Sequence, residues 1–175
     1  QANLQRYVAE LEAETASRNR LQGELDAAAE IQLSMLPAGG KAYEENAEFA
    51  LWAGLRPAKS VGGDLYAFHR EASGRLFVAV GDVSDKGVPA AIFMARAITL
   101  LQQYARSGLA SEIILQRLND ELTLGNDNCM FLTLCAGWLD LQTLQLNFAV
   151  GGHTPPSLLR QQHCHSIDQQ TGPAL

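Results

Sequence analysis

Two aspartates stand in glycine-flanked turns: Asp64 in Val61-Gly-Gly-Asp64, and Asp82 in Gly81-Asp-Val-Ser-Asp85, which runs on through Lys86 to Pro89. Carboxylates and backbone carbonyls are hard oxygen donors, the kind that Mg2+ and Mn2+ take. Two ions sharing a bridging carboxylate would activate water and stabilise charge on a phosphoryl group. The same residues have a plainer reading, because an Asp in a Gly-rich turn commonly bonds its own backbone. Two carboxylates are also few for a two-ion site. Spacing alone leaves both readings open.

The elements around these turns decide whether the two carboxylates can meet. Leu65–Phe68 and Leu76–Val80 are apolar runs on either side of Glu71-Ala-Ser-Gly74, the pattern of a β-hairpin. Asp64 then precedes the first strand and Asp82 follows the second, so an antiparallel pairing brings them side by side. Pro89 opens a mostly buried helix to about Arg106, with Arg96, Thr99 and Gln103 on its polar edge. Ser111 is placed to cap a second helix that carries Ile114, Leu115, Leu118 and Leu122 on one face. Met130–Leu139 and Leu144–Val150 read as a second hairpin around Asp140-Leu-Gln-Thr143. Ser157–Arg160 and His165–Ile167 read as a third. An earlier strand is expected over Ala47–Ala53, and Trp52 and Trp138 are expected in the core. Strands segregated from helices argue an α+β fold, with helices packed on an antiparallel sheet.

Residues 1 to about 36 form one long helical pattern with no Pro and Gly23 as its lone Gly. A heptad register falls on Leu4, Tyr7, Leu11, Glu14, Arg18, Leu21, Leu25, Ala28, Gln32 and Met35, with charges at two seam positions. A narrow apolar stripe needs a partner, most simply a second copy of the helix in a parallel dimer. The plainer alternative is a solvated helix lying on its own domain. Leu36-Pro37-Ala-Gly-Gly-Lys41 stops the pattern.

The chain has 175 residues, 47% of them hydrophobic, and a net charge of -6. That suits one domain with an appendage and argues against a nucleic-acid partner. Cys129, Cys135 and Cys164 form no CxxC and read as free thiols of a reduced, cytoplasmic setting. No apolar run is long enough to span a membrane, and no signal peptide is visible. Both ends read as cuts in a longer protein. His153 is a candidate acid by type but reads better as a turn histidine bonded to its own loop. His163-Cys-His165 reads as an incidental pair, Lys86 as a solvated turn lysine or a phosphate contact, and Ser84 as no nucleophile.

Several of these segments together resemble the SpoIIE/RsbU branch of the PPM family of metal-dependent serine/threonine phosphatases. Ala29-Glu-Ile-Gln-Leu-Ser-Met-Leu-Pro37 is similar to the segment that ends the family's linker helix. Val61-Gly-Gly-Asp-Leu-Tyr66 is similar to its first metal-binding turn, and Gly81–Met94 to its second. Phe131-Leu-Thr-Leu and Phe148-Ala-Val-Gly-Gly-His-Thr-Pro-Pro156 match later signatures. The matches fall in order over residues 29 to about 160.

The resemblance implies a PPM-type antiparallel β-sandwich flanked by helices, present in part and preceded by a coiled-coil-like helix. The division is 1–36 for the linker and dimerisation helix and 37–175 for the phosphatase part. Asp82 would bridge two Mn2+ or Mg2+ ions, the Val83 carbonyl would ligate one, and Asp64 would complete that ion's shell. The implied reaction is hydrolysis of phosphoserine or phosphothreonine on a protein, often a STAS-type anti-sigma-factor antagonist. An upstream sensory domain, membrane-tethered in some arrangements, would act through the linker helix, with Leu4, Leu11, Leu21 and Leu25 as the dimer seam.

Three departures bear on this. Asp85 stands where the family usually has Gly and is a candidate outer-shell residue. Ala67 stands where an Asp often follows the first turn. The family's further aspartates lie in Asp-Gly segments beyond residue 175, so this chain is expected to be weak or inactive alone. The rival reading is a phosphatase-like module that binds and dimerises without hydrolysis.

Overall fold

A computed structural model describes residues 2–43, 49–57, 60–167 and 171–175. In chain order the elements are α1 (Ala2–Ser34), β1 (Gly40–Tyr43), β2 (Leu51–Ala53), β3 (Leu65–Arg70), β4 (Arg75–Val83) and α2 (Val88–Arg106). They continue as α3 (Ser111–Thr123), β5 (Leu132–Asp140), β6 (Leu146–Gly151), β7 (Ser157–Arg160) and β8 (His163–Ser166). β3-β4-β5-β6 form a four-stranded antiparallel meander; β1-β2 and β7-β8 are separate two-stranded ribbons.

All three expected hairpins form, the third with its second strand at His163–Ser166 and not His165–Ile167, and the turns of the first two have local reasons. At Glu71–Gly74 the Glu71 N–H donates to the Arg75 carbonyl at 2.9 Å, and Gly74 takes φ +90°, a conformation open chiefly to Gly. At the next turn the Asp140 carboxylate accepts from the Gln142 and Thr143 N–H groups at 2.9 and 2.8 Å. The inner face of the meander alternates as a half-buried sheet must, carrying Leu65, Ala67, Phe77, Ala79, Leu132, Leu134, Ala136 and Trp138. Helices α2 and α3 cover this face. Met94, Ile98, Leu101, Ile114 and Leu118 are wholly buried, each contributing about 1.5–3 kcal/mol. The N-terminus of α2, which follows the second aspartate turn, is thereby fixed to the sheet.

Several details differ from the sequence expectation. The breaker segment does more than stop α1, since Gly40–Tyr43 becomes β1 and pairs with β2, Gly40 opposite Ala53. The expected strand Ala47–Ala53 begins at residues 47 and 48, outside the described residues, and its described part narrows to β2. Trp52 is 72% exposed, whereas Trp138 is core and donates its indole N–H to the Leu109 carbonyl at 2.8 Å. Ser111 caps nothing: Ala110 is the N-cap, and the Ser111 hydroxyl turns inward to the Asn147 carbonyl. Ile92, an apolar residue of the helix expected to be mostly buried, is 67% exposed. Cys129, Cys135 and Cys164 are free. No helix among the described residues is long and apolar enough to cross a membrane.

Helix α1 divides in two. Residues 3–24 are exposed, Leu4 and Leu11 by 68% and 65%, so the side chains of this half are not packed into the domain. Gln22 and Asp26 then bond the Ser60 hydroxyl. From Leu25 onward one face of the helix turns inward. Gln32 is buried and Met35 packs on the core. These last two heptad positions therefore face the domain and not a partner helix.

The first hairpin carries an ion pair with a pH signature. Arg75 bonds both Glu71 oxygens, at 2.8 and 2.9 Å, while its guanidinium lies 4.5 Å from the centroid of the Trp138 ring. The Arg75 hydrogen bonds hold the Glu71 carboxyl below its ordinary range against the opposing effect of burial. A carboxyl lowered by folding stabilises fully above its unfolded value, and that stabilisation is lost as pH falls through the folded value. Glu71→Gln is expected to cost about 1 kcal/mol at pH 7, after discounting for the solvent that reaches Arg75. By chemical denaturation the cost should shrink as pH falls below the ordinary carboxylate range and vanish once the folded Glu71 carboxyl is protonated, where wild type and variant carry the same charge.

Candidate metal centre

Register builds the site. β3 and β4 pair with Leu65 opposite Gly81; one step further sets Asp64 opposite Asp82, and the next sets Gly63 opposite Val83. The Val83 N–H donates to the Gly63 carbonyl at 3.3 Å, so the ladder does reach that step. The two carboxylates that the sequence placed at adjacent strand ends are thus cross-strand partners. They share one cleft with Gln32, Asp85, Lys86 and the Val61–Gly63 backbone.

Their electrostatics carry the mark of that proximity. The Asp82 carboxyl is raised above its ordinary value, first by burial, then by the Asp64 charge and by a hydrogen bond with Asp64. His153 and Lys86 act in the opposite sense. Two like charges held together favour a proton or a cation between them.

Glycine allows the approach. A Cβ at Gly63 would stand 2.7 Å from the Val83 carbonyl oxygen and 3.0 Å from its Cβ. Beyond Val83 the ladder ends: Ser84 N–H still donates to the Phe131 carbonyl, but Phe131 N–H bonds the Ser84 side chain, not its carbonyl. The hydroxyl of Ser84 is thus a strand-ending partner. Asp85 follows at φ +68°, in the left-handed region. Such a position favours Gly and tolerates Asp, a physical account of why Gly is usual there in the resembled family.

The Asp64 and Asp82 carboxylates interact with one another, and the Val83 carbonyl, one residue past Asp82, lies against Gly63, one residue before Asp64. That set suits a divalent hard cation in part, since six oxygens are usual. Among the described residues no group of three or more His, Cys, Asp and Glu could hold a metal ion.

Two residues that sequence reasoning assigned elsewhere belong to this neighbourhood. The Gln32 amide donates to the Gly62 carbonyl at 2.7 Å and accepts from the Gly62 N–H at 3.2 Å, while reaching the Ala91 carbonyl at 3.4 Å. The last turn of α1 is so tied to the first aspartate turn and to the first turn of α2. The Gln102 amide adds a tie to the Met35 carbonyl at 2.9 Å. His153 bonds Thr133 on β5 at 3.0 Å, not its own loop. His163 and His165 are exposed on β8, and Cys164 is exposed between them.

Gln32→Leu keeps the volume and removes both hydrogen bonds to Gly62. It is expected to cost about 1–2 kcal/mol in chemical denaturation. Gln32→Glu, which keeps the acceptor but loses the donor to the Gly62 carbonyl, is expected to recover only part of this.

Residues 72–175 match the family model described as Stage II sporulation protein E (SpoIIE), over half of the chain. Among curated proteins, the chain is 28% identical over 138 residues to the phosphoserine phosphatase RsbU of Bacillus subtilis, covering 79% of this chain and 40% of that one. It is 26% identical over 184 residues to Protein IcfG of Synechocystis, covering 90% and 28%. The chain therefore spans well under half the length of these relatives. Among solved structures, the SiaA-PP2C domain of Pseudomonas aeruginosa superposes with a TM-score of 0.61 at 25% identity, over 78% of this chain and 55% of that one. The RsbU and RsbW domains of a Mycobacterium tuberculosis protein give 0.60 at 25% identity, over 67% and 33%.

Proposed function

Because the chain belongs to the SpoIIE family of phosphatases related to RsbU, we propose that it is the metal-binding half of a PPM-type protein serine/threonine phosphatase with its signalling linker. The observation that carries the reading is that Asp64 and Asp82 meet one step beyond the paired register of β3 and β4, with the Asp82 carboxyl raised by burial and then by the Asp64 charge.

Asp64, Asp82 and the Val83 carbonyl would hold Mn2+ or Mg2+, with further ligands supplied from outside this chain. When bound, the two ions expected in a complete domain supply Lewis acidity and a water of lowered pKa. The chain's own residues do the rest. Asp82 and Asp64 set the charge of the site, Lys86 offers a cation to a phosphoryl oxygen, and Asp85 stands as an outer-shell acceptor. The substrate is a phosphoserine or phosphothreonine on a regulatory protein, of which a STAS-type anti-sigma-factor antagonist is the proposed case. The setting is a cytoplasmic bacterial signalling pathway.

Residues 1–36 serve as the linker and residues 37–175 as the phosphatase part. Leu4, Leu11 and Leu21 are exposed along α1, and Leu25 is half-buried. A second copy of the helix would cover the exposed seam, and an upstream sensory domain would act through it. The ties from Gln32 to Gly62 and Ala91 support a route from that helix to the aspartate turns.

The rival is a phosphatase-like module that binds a partner without hydrolysis. It is favoured by the lack, among the described residues, of a metal-holding group of three or more side chains. Mn2+-dependent hydrolysis of an aryl phosphate by this chain and by the full-length protein separates the two. Activity confined to the full-length protein is the expected result. A full-length protein that neither hydrolyses the ester nor takes up Mn2+ in calorimetry establishes the rival. Sedimentation of α1 variants at Leu11 and Leu21 tests the dimer in the same preparations; a wild type that is monomeric throughout defeats it.

A further inference from the structure

We propose that His153 is a positioning residue for the Asp82–Val83 segment, acting through the hydroxyl of Thr133; the proposal rests on the metal-phosphatase reading of that segment. The histidine is delivered there by the fold and not by its own loop. Strand β6 ends at Gly151, and Gly152 turns at φ +61°. That turn is fixed from outside. Gly152 N–H donates to the Gly172 carbonyl at 2.8 Å, and a Cβ on Gly152 would come within 2.9 Å of the Ala174 nitrogen. The terminal segment is itself anchored, because Leu175 and Leu132 exchange two backbone hydrogen bonds of 2.9 Å. Leaving this turn, His153 places Nδ1 at 3.0 Å from Thr133 Oγ1.

Thr133 is the register partner of Asp82 across β4 and β5, and its hydroxyl donates to the Asp82 carbonyl at 3.2 Å. A hydroxyl has one proton to give. With that proton on the Asp82 carbonyl, the contact to His153 is made by an Nδ1–H donor, so that in the neutral ring Nδ1 and not Nε2 carries the proton. The Asp82 carbonyl shares a peptide plane with the Val83 N–H, which donates to Gly63. This peptide is therefore gripped from both sides, by Thr133 and His153 on β5's side and by Gly63 on β3's. It lies between the two donors assigned to the metal, the Asp82 carboxylate before it and the Val83 carbonyl after it. Tilting the plane displaces both.

The test uses the full-length protein, with Mn2+ affinity read by calorimetry beside thermal melting. His153→Ala and Thr133→Val are each expected to weaken Mn2+ about tenfold, the scale of lost outer-shell support. The double variant should be no weaker than the weaker single one, because both cut one relay. His153→Asn, whose amide N–H can sit where Nδ1 sits, should keep wild-type affinity. A purely structural histidine would lower the melting temperature and leave the Mn2+ affinity unmoved. Wild-type affinity in both single variants, additive losses, or an Asn variant as weak as the Ala variant overturns the relay. Nitrogen-15 spectra of the metal-free wild type at pH 8 give a reading that needs no substitution: an Nδ1-protonated ring is expected, and an Nε2-protonated ring overturns it. A wild type that takes up no Mn2+ is a different result, since it overturns the metal-phosphatase reading and this proposal with it.

Discussion

Asp82→Asn is expected to lower Mn2+-dependent ester hydrolysis by the full-length protein by about a thousandfold or more, and at the same time to make the metal-free fold more stable at neutral pH. The first effect follows from charge. A neutral amide offers one weak oxygen where a carboxylate would bridge two cations, and losing several kcal/mol of such stabilisation is a loss of about three powers of ten. The second follows from the Asp82 carboxyl lying above its ordinary value, through burial first and the Asp64 charge second. The sign is opposite to that of Glu71. An acid whose folded value is raised holds its proton more tightly in the folded state, so folding loses stability as pH rises through that window. Asn resembles the protonated form at every pH. The variant should therefore match wild type near pH 3 and exceed it at pH 7, by about 0.5–1 kcal/mol given the exposure of the site. Melting curves at the two pH values, with and without Mn2+, read both effects, since only wild type should be stabilised by the ion. A variant less stable than wild type at pH 7 without metal would show that Asp82 is held for packing or capping.

How much of this was legible in the sequence follows from the range of the interactions involved. The aspartate pair could be read because the hairpin between them is local: a four-residue polar turn fixes the register, and register sets Asp64 opposite Asp82. The faces of α3 and the meander were legible for the same reason, through their periods of 3.6 and 2. What escaped depends on partners far along the chain. Gln32 fits a heptad seam as well as any residue; its bonds to Gly62 and Ala91 exist because α1 ends against the domain. Trp52 has the composition of a core residue, yet it sits on a ribbon outside the meander. His153 was read with its neighbours in sequence, while its partner on β5 is twenty positions away. No local signal pointed to it, because the turn at Gly152 that precedes it is held by Gly172 and Ala174 from the end of the chain.

Gly63→Ala should damage the site with a single methyl group. The added carbon would lie 2.7 Å from the Val83 carbonyl oxygen and 3.0 Å from the Val83 Cβ. Neither is the far end of a flexible side chain. Val83 is itself 1% exposed and cannot retreat into the core without displacing its neighbours. The strands must therefore part at the step where Asp64 faces Asp82. Overpacking of this kind costs about 1–3 kcal/mol. Here the same displacement moves the carbonyl proposed as a ligand away from the carboxylates, so Mn2+-dependent hydrolysis should fall about a hundredfold or more, the scale of a misplacement near 1 Å. Gly62 supplies the control next door. A Cβ there meets nothing within 4 Å, and its peptide bonds to Gln32 need only the backbone. Gly62→Ala should change stability by less than about 0.5 kcal/mol and leave Mn2+ activation intact. Equal behaviour of the two variants, in denaturation and in Mn2+ titration, would mean that the close approach of Gly63 to Val83 does not shape the site. A contrast of the expected size would tie the glycine in Gly-Gly-Asp64 to the placement of one carbonyl oxygen.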